Sequence, residues 1–352
     1  MNIKDPKNII VRMPNWLGDA VMATPILEDL RRHFPGAFIT AMLQENIAPL
    51  LQKDPNINEL FAFSKPSGFL RRIGQRQIVD KLQRGHYDLG VLLTNSFSSA
   101  WWFWRGNIKV RIGYANDWRS FLLTHVCKPS RDSEDIHLVD RYKGLYSCLD
   151  LQHTATIPRL YLSKAETDMA KNTLTRQGFK KGMVLVGINP GAAFGPAKCW
   201  PAERYRMIAK QLLEDESVFV VFFGDSKSLD LIKSISAGLP KRVCNLAGLT
   251  SLRELMALIG ECSIFLTNDS GPMHIAAALQ TPLLALFGST NEKATGPYGF
   301  GKVIHKHVEC SPCYLRTCPI DFRCMNRIEV DEVYKNLQEM IARAKEQKSN
   351  AP

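Results

Sequence analysis

A short polar segment in the last third of the chain carries the residues best suited to bind an anion. The apolar run at 263–266 is followed by TNDSGPMH, and a small-residue apolar segment begins at once. This pattern predicts a buried strand, a tight loop and a helix N-terminus. A first helical turn has unpaired N–H groups and a partial positive charge, which suit a phosphate. Asn268, Asp269 and Ser270 are capping types, Gly271 permits close backbone approach and Pro272 fits a first turn, so an ordinary capped helix is the alternative.

Two other loops carry candidate groups. The loop at 189–201 follows a predicted strand, contains Gly191 and Gly195, and places Lys198 just before a helix. A lysine there can neutralise a diphosphate, although on its own it is equally a surface lysine in a turn. Asp19 follows the first predicted strand beside Gly18. It either caps a helix or, as a carboxylate in a cleft, takes a proton from a substrate hydroxyl.

Strands alternate with helices on both sides of a predicted linker near 155–182. Strands are predicted at 8–13, 38–43, 87–93, 182–188, 217–223, 263–266 and 283–287. Helices are predicted at 20–33, around 71–84, from 163, and at 202–213, 252–259 and 330–348. The alternation predicts an α/β protein with two doubly wound parallel sheets. Domains are expected at 1–165 and 166–330, with a terminal helix at 331–352, and two such domains facing each other form a cleft at the carboxyl ends of their strands.

Composition limits the class of partner. The chain has 352 residues, a formal charge of +11 and a 45% hydrophobic share, without an apolar run long enough to span a membrane. Its first residues do not resemble a signal peptide, so a cytoplasmic location is expected. The basic balance favours nucleotides, a phosphorylated glycolipid or an anionic membrane surface. Nucleic-acid motifs, a Walker A loop and a G-x-G-x-x-G fingerprint are all missing from the sequence.

Cysteines and tryptophans leave alternatives open. The nine cysteines are expected to be mostly reduced thiols. Cys310, Cys313, Cys318 and Cys324 could form a zinc site, but the wide spacing of the last pair favours buried or redox-active thiols. The cluster at 101–104 (WWFW) could touch a membrane interface, as could 69–72 (FLRR), although a partly buried helix is the preferred interpretation of the first.

Four segments together resemble the ADP-heptose:lipopolysaccharide heptosyltransferases, a family of GT-B glycosyltransferases also classified as glycosyltransferase family 9. They are residues 13–25 (MPNWLGDAVMATP), 111–114 (RIGY), 189–201 (NPGAAFGPAKCWP) and 267–274 (TNDSGPMH). They follow the family's order and span nearly the whole chain. The PNWLGD and AKCWP forms and the late cysteines look most like the heptosyltransferase II branch.

The resemblance implies the GT-B fold and an inverting heptose transfer from ADP-L-glycero-β-D-manno-heptose to the first heptose of the lipopolysaccharide inner core. The acceptor would be heptosyl-Kdo2-lipid A at the cytoplasmic face of the inner membrane, and no metal or other cofactor is required. The family's catalytic aspartate falls on Asp19 and its phosphate-contacting lysine on Lys198. The remaining donor-binding candidates are Gly191, Ala193, Phe194, Asp225, Asn268, Asp269, Ser270, Gly271, Pro272, Met273 and His274.

One departure from the family pattern, one further candidate residue and three alternative functions belong to this interpretation. The loop before Lys198 has Ala192, Ala193 and Phe194 where relatives often have hydroxyl residues, so phosphate contacts there would come from backbone N–H groups. Asp225 is the candidate at the place where relatives use an acidic residue near the nucleotide ribose. The other functions are heptosyltransferase I, another GT-B nucleotide-sugar enzyme such as an epimerase, and an inactive nucleotide- or glycolipid-binding protein.

Overall fold

A computed structural model describes residues 5–68, 71–128 and 136–349, with side chains up to 346. The chain divides into two compact units, residues 1–161 and 162–352. Each is an α/β unit built on one parallel sheet, as the alternation of strands and helices predicts.

The first unit contains a six-stranded parallel sheet with the strand order β3-β2-β1-β4-β5-β6. Its strands are β1 Asn8–Arg12, β2 Phe38–Gln44, β3 Glu59–Phe63, β4 Leu89–Leu92, β5 Val110–Tyr114 and β6 His125–Cys127. Its helices are α1 Leu17–Met22, α2 Thr24–His33, α3 Arg71–Arg84, α4 Phe97–Arg105 and α5 Leu138–Lys143. This is the strand order of a Rossmann sheet, which reverses direction between β1 and β4.

The second unit repeats the same strand order in its own sheet, β12-β11-β10-β7-β8-β9. Its strands are β7 Val184–Asn189, β8 Val218–Phe222, β9 Val243–Asn245, β10 Ile264–Asn268, β11 Leu283–Phe287 and β12 Lys302–His305. Its helices are α6 Lys164–Arg176, α7 Ala202–Leu212, α8 Leu229–Ser236, α9 Leu252–Glu261, α10 Gly271–Ala278, α11 Glu292–Thr295, α12 Arg323–Asn326 and α13 Val330–Ser349. The reversal here lies between β7 and β10.

The core of the second unit sits between its sheet and the covering helices. Strands β7, β8, β10 and β11 are buried along their whole length, as expected for parallel strands covered on both faces. Helix α13 contributes Val333, Leu337 and Ile341 to this core. These residues lie four apart, so one apolar stripe of α13 covers α7 and the ends of β7 and β10. The last helix is therefore an integral part of the second unit.

The helix predicted at 20–33 is two helices, so that prediction was wrong in its bounds. Helix α1 runs from Leu17 to Met22 and α2 starts at Thr24, with Ala23 as the cap residue between them. The Thr24 hydroxyl donates to the Val21 carbonyl at 2.8 Å, and Pro25 occupies the first turn of α2. Proline lacks an N–H group and is tolerated only in a first turn, which forces a new helix to begin there. The earlier start places Asp19 in the first turn of α1.

Nearly half of the predicted linker at 155–182 is the packed helix α6, Lys164–Arg176. Ser163 and Glu166 form a reciprocal capping box at its start. Arg253 on α9 donates to both carboxylate oxygens of Glu166, at 2.7 and 2.8 Å. These hydrogen bonds lower the pKa of Glu166 to about 2. The forked ion pair fixes α6 against α9.

Two further features concern the thiols and membranes. Cys127 and Cys148 form a disulfide because β6 and the 3-10 turn Gly144–Cys148 bring their Cα atoms within 5.9 Å. The other seven cysteines are free, in line with the expectation that most would be thiols.

Within the described ranges, every helix is too short or too polar to cross a bilayer.

Candidate functional site

The reversal point of the second sheet brings two of the predicted loops together. Strands β7 and β10 are hydrogen-bonded neighbours, and their last residues are Asn189 and Asn268. The loop bearing Lys198 leaves β7 at the same edge where the turn at 269–274 leaves β10. Ligands of doubly wound sheets bind at this position, outside the carboxyl ends of the strands where the order reverses.

An ion pair joins the two loops. Lys198 Nζ contacts the Asp269 carboxylate, and the Thr290 hydroxyl donates to the same carboxylate at 2.6 Å. Only 14% of the Lys198 side chain and 6% of the Asp269 side chain are exposed. Lys198 is therefore a cation held in a largely dehydrated place, not a solvated surface lysine. Sequence reasoning missed Thr290, which follows β11 in a Gly-Ser-Thr segment of the kind that ends a strand.

The Asn268 side chain connects two loops and does not cap a helix, so its predicted capping role was wrong. Its carboxamide oxygen accepts hydrogen bonds from the Trp200 N–H at 3.1 Å and the Tyr205 hydroxyl at 2.7 Å. Its amide nitrogen donates to the Pro190 carbonyl at 2.6 Å. Because all three partners belong to the chain that follows β7, Asn268 fixes the Lys198 loop to the end of β10.

Ser270 occupies the N-cap position of α10 but makes no side-chain capping bond. Its hydroxyl lies 3.0 Å from Thr267 Oγ1 and accepts from Asn189 Nδ2 at 3.2 Å. The first turn of α10 contains no acidic residue, and Pro272 lies in it as predicted. A helix N-terminus without a side-chain cap and without a negative charge can accept an anionic ligand. This arrangement favours the anion-site interpretation over the simple capped helix.

Met273 and His274 are buried, as Asp269 is, whereas Ser270, Gly271 and Pro272 are partly exposed. Met273 is fully buried, and His274 is 6% exposed. The Met273 side chain therefore packs in the core beneath the turn.

An aromatic ring supports the Lys198 loop. Lys198 Nζ lies 4.8 Å from the centroid of the Phe194 ring, and the Arg316 guanidinium lies 5.3 Å from it. Gly195 has φ +155°, and a Cβ atom there would lie 2.4 Å from the Arg316 carbonyl oxygen. That carbonyl also accepts the Ala197 N–H at 3.1 Å. Arg316, which sequence reasoning missed, thus brings a second positive charge to this loop.

The other candidates of this unit lie nearby along the same edge. Ala193 is exposed and Gly191 is half-buried. A Cβ atom at Gly191 would lie 2.7 Å from Ser228 Oγ, so the loop is close to the turn that follows β8. Asp225 caps that turn by accepting from the Ser228 N–H at 3.0 Å and from its hydroxyl at 2.7 Å. Its carboxylate is exposed but already occupied in a local cap.

Asp19 lies in the first turn of α1, directly after β1, at the reversal point of the first sheet. Asp19 is half-buried. The pKa of Tyr142 is raised first by burial of its hydroxyl and second by the negative charge of Asp19. The loop before it is held by Arg12, which is 2% exposed and donates to the Met13 carbonyl and the Asn15 side chain. Burial lowers the pKa of Arg12 to about 9. A buried arginine was not anticipated, because Arg12 interrupts an otherwise apolar strand.

The late cysteines line one small pocket beside the Lys198 loop. Its walls include Ala197, Ser289 and the four thiols Cys310, Cys313, Cys318 and Cys324. All four are free, and burial raises the pKa of Cys324. A zinc site needs ligand atoms that lie close together. Among the described residues, no three of the four sulfurs lie within 4.8 Å of one another.

Exposed aromatic side chains cluster in the first unit. Trp102 and Phe103 of α4 are buried, as the partly buried helix interpretation predicts, whereas Trp104 is half exposed. Trp118 and Phe121 stand out further, at 93% and 74% exposed. Of the segment at 69–72, residues 69–70 lie outside the described residues.

The two Rossmann-like sheets, with loops at their reversal points, define a protein of the doubly wound α/β class. Residues 75–322 match the family model of glycosyltransferase family 9 (heptosyltransferase). The chain is 34% identical to lipopolysaccharide heptosyltransferase 2 of Escherichia coli over 82% of this chain and 85% of that protein. It is 32% identical to lipooligosaccharide heptosyltransferase 2 of Haemophilus influenzae over 86% and 89%.

The solved structure of Escherichia coli ADP-heptose lipopolysaccharide heptosyltransferase II is also similar, with a TM-score of 0.80 at 31% identity. That match covers 96% of this chain and 99% of the other. The chain therefore belongs to glycosyltransferase family 9, the heptosyltransferases, and is a glycosyltransferase with the GT-B fold. The family resemblance inferred from the four sequence segments is confirmed.

Proposed function

We propose that the protein transfers heptose from ADP-L-glycero-β-D-manno-heptose to the first heptose of the lipopolysaccharide inner core, with inversion at the anomeric carbon. The observation that carries this proposal is the Lys198–Asp269 pair beside the uncapped N-terminus of α10. It is an anion site of the right kind for a diphosphate leaving group, in a chain similar to heptosyltransferase 2 proteins over most of its length.

The second unit is assigned to the donor. Residues 166–330 form the ADP-heptose-binding domain in this proposal, followed by the terminal helix and tail at 331–352. Lys198 and the first-turn N–H groups of α10 stabilise the charge that develops on ADP as its bond to the anomeric carbon breaks. These donors are already in place and need no metal ion. Gly191, Ala193 and Phe194 shape the loop, and Asp225 lies near enough along the edge to meet the ribose.

The first unit is assigned to the acceptor, with a domain at residues 1–165. The acceptor hydroxyl oxygen attacks the anomeric carbon from the face opposite ADP, and Asp19 takes its proton. Attack from that face inverts the configuration. Asp19 suits this role because it is half-buried in the first turn of α1, so a helix and not a flexible loop positions its carboxylate.

A transfer assay with two acceptors tests the proposal. Kdo2-lipid A with its first heptose should be glycosylated from ADP-heptose, whereas Kdo2-lipid A without that heptose should not. The reverse preference would indicate heptosyltransferase I. Thermal-shift measurements with ADP, UDP, GDP and CMP provide the donor control. Stabilisation by UDP alone would contradict an ADP-sugar donor and point to another GT-B nucleotide-sugar enzyme.

We also propose that the enzyme works at the cytoplasmic surface of the inner membrane as a peripheral protein. Trp118 and Phe121 offer exposed apolar area, and Arg71, Arg72 and Arg76 of α3 are exposed cations in the same unit. Aromatic and basic side chains together bind anionic lipid interfaces.

The Trp118→Ala/Phe121→Ala double variant should therefore bind vesicles with anionic lipid about 10-fold more weakly, since two apolar anchors are lost. Co-sedimentation with such vesicles measures this effect. Leu249→Ala, which removes a side chain 71% exposed on the second unit, is the matched control. Equal binding by the double variant and the control would count against this surface.

A further inference from the structure

Three side chains of metal-ligand type form a compact group at the far edge of the second sheet. Glu292 begins α11, His305 ends β12, and His307 follows two residues later. One ligand atom of each lies within 4.8 Å of the others. His305 Nδ1 is 2.6 Å from one carboxylate oxygen of Glu292, and His307 Nε2 is 3.5 Å from the other.

The surroundings of His305 assign the proton on its other nitrogen. His305 Nε2 lies 3.0 Å from Ser311 Oγ and 3.3 Å from the Gly288 carbonyl oxygen. The Ser311 hydroxyl donates its hydrogen to that same carbonyl. Both groups near Nε2 are therefore acceptors, and Nε2 carries the N–H.

His305 Nδ1 and a Glu292 carboxylate oxygen are 2.6 Å apart, which is a hydrogen-bond distance. A metal ion bound by both atoms would take the place of the hydrogen between them, and the two side chains would separate slightly to admit it. Metal-binding histidines show the same arrangement, with one nitrogen on the ion and the other N–H donated to a carbonyl group.

The ligand set is placed on regular structure. His305 is held by the pairing of β12 with β11, opposite Phe287. Its side chain is 3% exposed, that of Glu292 is 19% exposed and that of His307 is 69% exposed. Glu292 and His305 would hold an ion here against the protein, and solvent would reach the ion beside the exposed His307. Water would complete its coordination, as at other three-ligand sites.

We propose that Glu292, His305 and His307 bind one divalent transition-metal ion of the Zn²⁺ class. Two imidazole nitrogens and one carboxylate oxygen suit such an ion, which prefers these ligands over an all-oxygen set. The ion has no step in the transfer reaction. It ties α11 to β12 and, through Ser311, to the start of the cysteine-containing segment.

That segment leads back to the donor loop. The Ser289 carbonyl accepts the N–H groups of Cys313 and Tyr314, at 3.1 and 2.8 Å. The chain then reaches Arg316, whose carbonyl holds Ala197 beside Lys198. Metal binding is therefore expected to raise the thermal stability of the second unit, where these contacts lie.

The experiment measures Zn²⁺ binding by the full chain after removal of metals with a chelator and dialysis against Zn²⁺. One equivalent is expected by elemental analysis. His307→Ala should weaken the affinity by at least about 100-fold, and Ser311→Ala, which removes only the supporting hydroxyl, by about 10-fold. Glu292→Gln keeps the side-chain shape and should weaken binding as His307→Ala does. His153→Ala, which removes an exposed histidine of the first unit, is the matched control and should bind as the unaltered chain does.

A second arm separates this site from the nearby thiols. The Cys310→Ser/Cys313→Ser/Cys318→Ser variant should still bind one equivalent, and Co²⁺ in the unaltered chain should show no thiolate charge-transfer absorption. The proposal is overturned if the unaltered chain retains no Zn²⁺, if His307→Ala binds with undiminished affinity, or if the cysteine variant loses the ion.

Discussion

Replacing Asp19 by Asn is expected to reduce heptose transfer by about 10²–10⁴-fold while leaving the affinity for ADP-heptose nearly unchanged. Asparagine matches the shape of the aspartate but cannot accept the acceptor's proton. The donor-binding residues belong to a different unit of the chain, so their contacts should survive the change. Steady-state turnover gives the first quantity, and calorimetry with ADP-heptose in the absence of acceptor gives the second.

The control for this experiment is Asp117→Asn, which removes the charge of an exposed aspartate in the same unit. It should transfer heptose at the normal rate. If Asp19→Asn retained near-normal turnover, Asp19 would be a structural residue in the first turn of α1 and not the base. A parallel loss of ADP affinity would show instead that the substitution disturbs the protein more widely than its position suggests.

Replacing Lys198 by Ala is expected to weaken ADP and donor binding by about 10- to 100-fold, the range for loss of a charge-assisted hydrogen bond. In the free protein, Lys198 is paired with Asp269, so the charge of Lys198 is already compensated. A diphosphate competes with that carboxylate for the ammonium group. Affinity for ADP should therefore fall more than affinity for adenosine, which has no phosphate to contact.

Asp269 complicates this substitution because it would be left as a buried carboxylate without its cation. The Lys198→Ala/Asp269→Asn double variant removes that strain and should recover thermal stability without recovering ADP affinity. Lys227→Ala, which removes an exposed lysine of the same unit, provides the matched control. Unchanged ADP affinity in Lys198→Ala by calorimetry would remove its phosphate role.

Local sequence patterns predicted the elements that carry the site, but not the contacts among them. The apolar runs that became β7, β10 and β11 were recognisable because buried parallel strands need no alternation. Five strands, β3, β5, β6, β9 and β12, were not predicted, and β6 and β9 have only three residues each, too few for a pattern. The break at Ala23 depends on where Pro25 falls within a helical turn, and an amphipathic pattern does not show that position.

The site residues also divide into those that local sequence patterns predict and those that only the structure reveals. Gly271 and Pro272 can be recognised locally, because a turn and a first helical position restrict residue type. The pairing of Lys198 with Asp269 joins positions 71 residues apart in sequence, and the hydrogen bond from Thr290 comes from a third loop. Asn268 looked like a cap because its residue type is common in caps. Only its hydrogen bonds to Trp200, Tyr205 and Pro190 show that its side chain points at the loop that follows β7.

The position of α13 in the core of the second unit has a consequence for synthesis on the ribosome. All residues of the first unit leave the ribosome early and can fold while translation continues. The second unit lacks Val333, Leu337 and Ile341 of its core until residue 341 has been added. At 5–20 residues per second, making residues 162–341 takes roughly 10–35 s. During that interval the apolar surfaces of β7, β10 and α7 remain uncovered, so this half of the nascent chain is the part that chaperones should engage.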